Sequence, residues 1–230
     1  MLAKPMKVEH AGRIFWQGHL YGQPVVLALS RIGKVAAAIT ATALIERFGI
    51  DKLVFTGVAG GLRRGVDVGD VVVATEFMQH DLDSSPLYPR YEVPLYGQTK
   101  FKADAALTAM LSRAAHNAMA VRLSTIGGAD YAQARVHEGL LATGDRFVCG
   151  AAESQALLAA LAAAGHDVLA VEMECAAVAQ VCHDYGIAFA AMRTISDRAE
   201  DTAHVDFPRF LDETARGYAQ SIIIRFLVML

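Results

Sequence analysis

The sequence predicts an α/β protein, a single domain built on a mixed, largely parallel twisted sheet with helices on both faces. Short β-rich runs alternate with alanine-rich stretches of helical length. Most of those runs are apolar on both sides, as strands covered by helices are. Hydrophobic residues make up 54% of the 230, against 20% charged, which is enough for a sizeable core. No internal repeat, low-complexity tract or linker divides the chain, so residues 1–230 read as one unit.

The elements follow in order. "RIFWQGHL" (13–20) and "PVVLALS" (24–30) read as a hairpin turning at Tyr21, Gly22 and Gln23. "GKVAAAITATALIERF" (33–48) reads as a helix that buries most of its circumference and closes at Gly49. "KLVFTGVAGGL" (52–62) is an apolar strand running into a glycine turn, and "DVVVATEF" (70–77) is the next strand. Residues 81–98 hold three prolines and three tyrosines and read as an ordered surface loop. A helix over 102–116, a strand near 119–126, a Gly-Gly break and a short helix near 130–137 come next. "GLLATGDRFV" (139–148) is a strand ending in a turn. Helix 152–164, strand 167–172, helix 174–185, strand 187–196 and a long helix 207–229 complete the pattern.

Composition excludes several classes of function. The net charge is −3 with Lys and Arg scattered, so the basic footprint of a nucleic-acid binder is missing. The apolar "SIIIRFLVML" at 221–230 is ten residues long and interrupted by Arg225, whereas a membrane span needs roughly 20. "MLAKPMKVEH" contains no apolar signal-peptide core. Cys149, Cys175 and Cys182 form no CxxC pair and cannot all be bridged, which favours a reducing compartment. The expectation is a cytoplasmic, globular chain.

In such sheets ligands bind beyond the carboxyl ends of the strands. Four polar or glycine-rich clusters fall there: "TGVAGG" (56–61), "TGDRF" (143–147), "EMEC" (172–175) and "RTISD" (193–197). The glycines allow either a tight turn or close approach of backbone to ligand. They are not the dinucleotide fingerprint, because no GxGxxG with a downstream acid is present. Glu172 and Glu174 stand where a strand hands over to a helix. Exposed, they would complement the helix dipole; buried, a carboxylate there could accept hydrogen bonds from vicinal hydroxyls. Asp197 closes an apolar strand and reads as either a turn aspartate or a buried acid. "QHDLD" (79–83) offers His80, Asp81 and Asp83 as metal ligands, but no second cluster at recognisable spacing supports them, so no metal is expected. His183 reads as a surface or capping residue, and Cys175 and Cys182 as core. "Gly57-Val58-Ala59" supplies no serine for a hydrolase elbow.

Taken together, "SRIGKVAAA" (30–38), "TGVAGGL" (56–62), "VDVGDVVVATE" (66–76), "FKAD" (101–104), "TGDRFV" (143–148), "AVEMECAAVAQVCH" (170–183) and "RTISDRA" (193–199) resemble the 5′-methylthioadenosine/S-adenosylhomocysteine nucleosidases of the purine nucleoside phosphorylase superfamily. The resemblance runs in order over roughly residues 25–215. It implies a nucleoside phosphorylase-like fold and hydrolysis of an N-ribosidic bond in a small-molecule nucleoside. No cofactor is implied.

By the same resemblance, the backbone of Met173 and the carboxylate of Glu174 meet the ribose hydroxyls, with Glu172 part of the motif. Asp197, beside Ser196, faces N7 of adenine as the leaving-group acid. Phe147 stacks on the base and the backbone of Val148 reads its edge. Ile32 and the glycine turn at Ala59 and Gly60 border the 5′ and ribose side, and Arg193 lies near the attacking water. A homodimer is implied, with the partner's loop at 85–96 closing the 5′ pocket.

Two departures stand out. Val58 occupies a position that is usually serine in the family. Residues 1–12 hold neither the family's first strand nor its Gly-Ala-x-x-x-Glu turn, whose glutamate activates the water, and Glu9 does not take that role. An unfilled strand position is therefore expected in the sheet. The competing expectations are a phosphorolytic enzyme using Arg31 and Arg63, and a purine-nucleoside binding protein with impaired catalysis.

Overall fold

The computed structural model describes residues 2–125, 134–199 and 216–230. It opens with a three-stranded antiparallel meander of β1 (Ala3–His10), β2 (Arg13–Leu20) and β3 (Gln23–Ala28), in that spatial order. Both connections are two-residue turns, Ala11-Gly12 and Tyr21-Gly22, with positive φ at both positions. That geometry matches the twist of paired strands. Strand β1 lies outside the predicted hairpin. "AKPMKVEH" is almost wholly exposed and carries Lys4, Pro5, Lys7 and Glu9 along an edge, so it shows no alternating apolar face. Among the described residues it pairs only with β2, at the edge of the small three-stranded sheet.

Helix α1 (Lys34–Phe48) follows and ends at Gly49 in the left-handed conformation. Next come β4 (Lys52–Gly61), β5 (Val71–Gln79), the two-residue β6 (Phe101–Lys102), α2 (Ala105–Thr125), β7 (Val136–Thr143) and α3 (Ala151–Ala163). The described chain closes with β8 (Val168–Glu172), α4 (Cys175–Tyr185), β9 (Ala188–Asp197) and α5 (Arg216–Met229). The second sheet has the order β6-β5-β7-β8-β4-β9 and carries an additional β5–β9 pairing. The pairs β4–β9, β5–β7 and β7–β8 are parallel; β4–β8, β5–β6 and β5–β9 are antiparallel. Five of the strands thus form a closed ring.

One apolar cluster joins α1 and α4 to one face of this sheet through Ala37, Ala41, Leu53, Phe77, Val178 and Phe189. A second joins α2 and α5 to the other face through Val73, Leu111, Met192, Ile222 and Phe226. Helices therefore cover both faces, as expected.

Three boundaries differ from the sequence reading. Helix α2 starts at an Asp104 carboxylate that accepts from the Leu107 N–H at 2.8 Å, and it runs through the stretch assigned to a strand near 119–126. Nothing in "AAHNAMAVRLST" breaks a helix, and its alanines favour one. Strand β7 begins at Val136, inside the predicted short helix at 130–137; residues 126–133 lie outside the described ones. The strand then stops at Thr143, so 144–148 form the turn. Of the helix expected at 207–229, the described part is α5. Among the described residues, no helix is long and apolar enough to cross a membrane.

Candidate active site

Strands β4, β7, β8 and β9 bring their carboxyl ends together, and the four sequence clusters meet there. The handover from β8 to α4 is built around Glu172. A helix start leaves its first N–H groups without partners. Here the Glu172 carboxylate accepts from the N–H of Glu174 at 3.0 Å and of Cys175 at 2.9 Å, and the Thr143 hydroxyl accepts from the Ala176 N–H at 2.9 Å. Thr143 in turn donates to Glu172 in a short hydrogen bond. Arg193, on β9, donates its Nη2 to Glu172 at 2.6 Å. Burial would raise the Glu172 pKa, but Arg193, Thr143 and the Cys175 N–H together hold it below its ordinary value. Glu172 is an internal group, fully engaged by the protein.

Glu174 differs although it stands two residues away. Its Oε1 accepts from the Gly33 N–H at 3.1 Å and its Oε2 lies 3.4 Å from Arg193 Nη2. Its side chain keeps 15% exposure, where that of Glu172 keeps 1%. Burial, with the charge of Glu172 nearby, pushes its pKa up, against the pull of Arg193. Glu174 therefore faces the cleft with hydrogen-bonding capacity left. Gly33 can reach it because φ of +93° is open to glycine, and a Cβ there would stand 3.2 Å from Asp145 Oδ1.

Asp197 ends β9 and is 3% exposed. Its Oδ2 accepts from Ser196 Oγ at 2.8 Å and its Oδ1 from the Ala199 N–H at 2.8 Å. Ser196 Oγ also lies 3.4 Å from the Ala59 carbonyl, and Gly60 pairs with Asp197 across the strands. The Arg193 guanidinium stacks over the Phe55 ring at 4.2 Å, with its Nε and Nη1 buried and lacking a hydrogen-bond partner among the described residues.

A polar network absent from the sequence reading ties the surrounding loops together. Lys34 donates its N–H to Asp145 at 2.8 Å and its Nζ to Asp81 at 2.6 Å, and Asp81 accepts from the Asp145 N–H at 2.8 Å. This fixes the loop that carries Phe147, which is half exposed, and Val148, which is buried. Ile32, on the loop before α1, is 74% exposed. Met173 occupies the β8–α4 turn between the two glutamates.

Several candidates do not converge. Asp81 is held by Lys34, Asp83 accepts from the Ser85 N–H at 3.0 Å, and the buried His80 packs under Gly144. Arg63 pairs with Asp167 at 3.0 Å on the surface, and Arg31 holds the Gly12 carbonyl. Burial pushes the Cys175 thiol well above its ordinary value and that of Cys182 up to about 12, so neither is a ready nucleophile.

The sequence profile of the Phosphorylase superfamily matches residues 2–228. A 5′-methylthioadenosine/S-adenosylhomocysteine nucleosidase of Actinobacillus succinogenes is 36% identical over 220 residues, which is 94% of this chain and 87% of the relative. That of Bacillus thuringiensis is 37% identical over 222 residues, covering 94% and 86%. The crystal structure of the Neisseria meningitidis nucleosidase in complex with methylthio-immucillin-A superposes with a TM-score of 0.87 at 34% identity, covering 100% of this chain and 92% of that one.

Proposed function

Because the chain belongs to the 5′-methylthioadenosine/S-adenosylhomocysteine nucleosidases of the phosphorylase superfamily, we propose that it hydrolyses the N-ribosidic bond of these adenosyl thioethers, releasing adenine and the thioribose. The observation that carries this reading is the pair of carboxylates at neighbouring strand ends, Glu174 facing the cleft and Asp197 buried beside Ser196.

Cleavage builds positive charge on the ribose and negative charge on the departing base. Glu174 accepts hydrogen bonds from the ribose hydroxyls and favours the cationic sugar. The backbone of Met173 lies beside it, Phe147 stacks on the adenine and Val148 reads its edge. Asp197 protonates N7, a contribution of about 10²–10⁴-fold, or roughly 3–5 kcal/mol. Ile32, Ala59 and Gly60 border the sugar and its 5′ substituent. Arg193 orients the water, while Glu172 holds Arg193 and the start of α4 in place.

Of the two carboxylates bonded to Arg193, one is engaged by the protein and the other by the hydroxyls. Incubation with 5′-methylthioadenosine, with and without phosphate, tests the reading. Adenine release with free methylthioribose in both cases is expected; a sugar 1-phosphate formed with phosphate would rule hydrolysis out.

The assignment extends to a cytoplasmic homodimer. Residues 85–96 present Leu87 and Leu95, 85% and 89% exposed, among prolines and tyrosines, the composition that interfaces favour. A monomer by analytical ultracentrifugation at micromolar concentration would reject the dimer.

A further inference from the structure

Helix α1 starts without a cap of its own. Gly33, at its N-cap, has no side chain to offer, and its first turn holds no acidic residue. The first N–H groups of a helix need acceptors, and the positive end of its dipole favours anionic ones. Two carboxylates from far along the chain supply them on consecutive residues. The Gly33 N–H donates to Glu174 at 3.1 Å, and the Lys34 N–H donates to Asp145 at 2.8 Å. Glu174 serves the ribose in the reading above. Asp145 stands two residues before Phe147 and three before Val148, in the turn that follows β7.

We propose that Asp145 is a positioning residue for the base: docked on the start of α1, it sets the Phe147 ring and the Val148 backbone in register with Glu174. The inference rests on the hydrolytic reading above. Where the turn leaves β7 is fixed at Gly144, whose N–H donates to the Glu172 carbonyl at 3.0 Å and whose α-carbon lies so close to the His80 ring that a β-carbon would overlap it. Where the turn goes next is set at Asp145, which is gripped twice. Its N–H donates to Asp81 at 2.8 Å, and its carboxylate accepts from the Lys34 N–H. The Lys34 ammonium stands between the two acids, 2.6 Å from Asp81 and 3.9 Å from Asp145. Ribose acid and base loop thus share one mount, two adjacent N–H groups on a rigid helix end. A loop fixed before the ligand arrives spares the cost of ordering it on binding. Glu174 does not depend on Asp145, because Gly33 and Arg193 hold it directly. Loss of the Asp145 carboxylate should therefore loosen the base half of the site and leave the sugar half. Its side chain is 51% exposed, so truncation removes little packing.

The test compares the wild type with Asp145→Ala and Asp145→Asn, using adenine, methylthioribose and 5′-methylthioadenosine as probes. Adenine affinity should fall at least about tenfold in Asp145→Ala, the loss expected for one charge-assisted hydrogen bond. Methylthioribose affinity should stay within about twofold of wild type. KM for 5′-methylthioadenosine should rise by about the same factor as adenine affinity falls, with kcat changed less than about threefold. The asparagine amide still accepts from the Lys34 N–H, so Asp145→Asn should return adenine affinity to within about threefold of wild type. In the ligand-free Asp145→Ala protein, amide hydrogen exchange should quicken at least about tenfold over residues 145–148 and stay unchanged in β4 and β9. Equal losses for adenine and methylthioribose would overturn the proposal, as would a loss that Asp145→Asn does not restore or unchanged exchange in the turn. Wild-type adenine affinity in Asp145→Ala, with turnover intact, would overturn it and leave hydrolysis standing. A wild type that neither binds adenine nor releases it would reject the hydrolytic reading and this role together.

Discussion

Glu172 and Glu174 share a side chain and a neighbourhood yet answer differently to substitution. Glu172→Gln leaves Arg193 short of its 2.6 Å partner, and breaking a buried ion pair costs about 3–5 kcal/mol. Denaturant titration should show that loss. The sign of its pH dependence follows from the lowered pKa. The stabilisation is complete above the unfolded value of 4.5 and is lost as pH falls through the lower folded one, so the wild type should weaken in acid more steeply than the variant. Glu174→Gln should leave stability unchanged or slightly higher, because it removes a carboxylate whose charge burial opposes. Its affinity for a 5′-thioadenosine analogue should fall about 10–100-fold, as expected for a lost charged hydrogen bond. A larger affinity loss in Glu172→Gln would reverse the two roles. Asp197→Asn should retain the fold and lower adenine release at least about 10²-fold; near-normal release would remove Asp197 from the acid role.

At the scale of elements, the turns that aim these groups matter more than the strands that carry them. Gly33→Ala forces a β-carbon onto φ of +93° and against Asp145, which should cost about 1–2 kcal/mol and displace the N–H that holds Glu174. Thermal melting would register the first effect and a raised KM the second. The apolar strands β4, β5, β8 and β9 were legible in the sequence because helices cover both their faces. Strand β1 was not, since an exposed edge strand has no buried face to pattern, and the end of α2 was not, since its residues suit either element. The site was legible in its clusters but not in its division of labour. Thr143 lies 29 residues from Glu172, and Gly33 lies 141 from Glu174. Only the tertiary fold decides which glutamate each of them meets.

The molecule as a whole joins two sheets of unequal integrity. The meander rests on the rest through Arg13, which reaches Thr40 at 2.7 Å and the Ala36 carbonyl at 3.1 Å, and through Phe15 stacked on Phe48. Hydrogen exchange should therefore report earlier opening in residues 3–28 than in β4, β5 and β9; equal protection would show that the two sheets unfold as one.

The β5–β9 pairing has a further consequence. The Gly69 N–H donates to Ile195 at 2.9 Å and the Ile195 N–H to Asp70 at 2.8 Å, two residues before the acid. A sheet with free borders can peel strand by strand from either side, but a hoop must be cut before any stave comes loose. Asp197 sits on such a stave, so loosening at the molecule's margin should leave its aim unchanged until the hoop itself gives way.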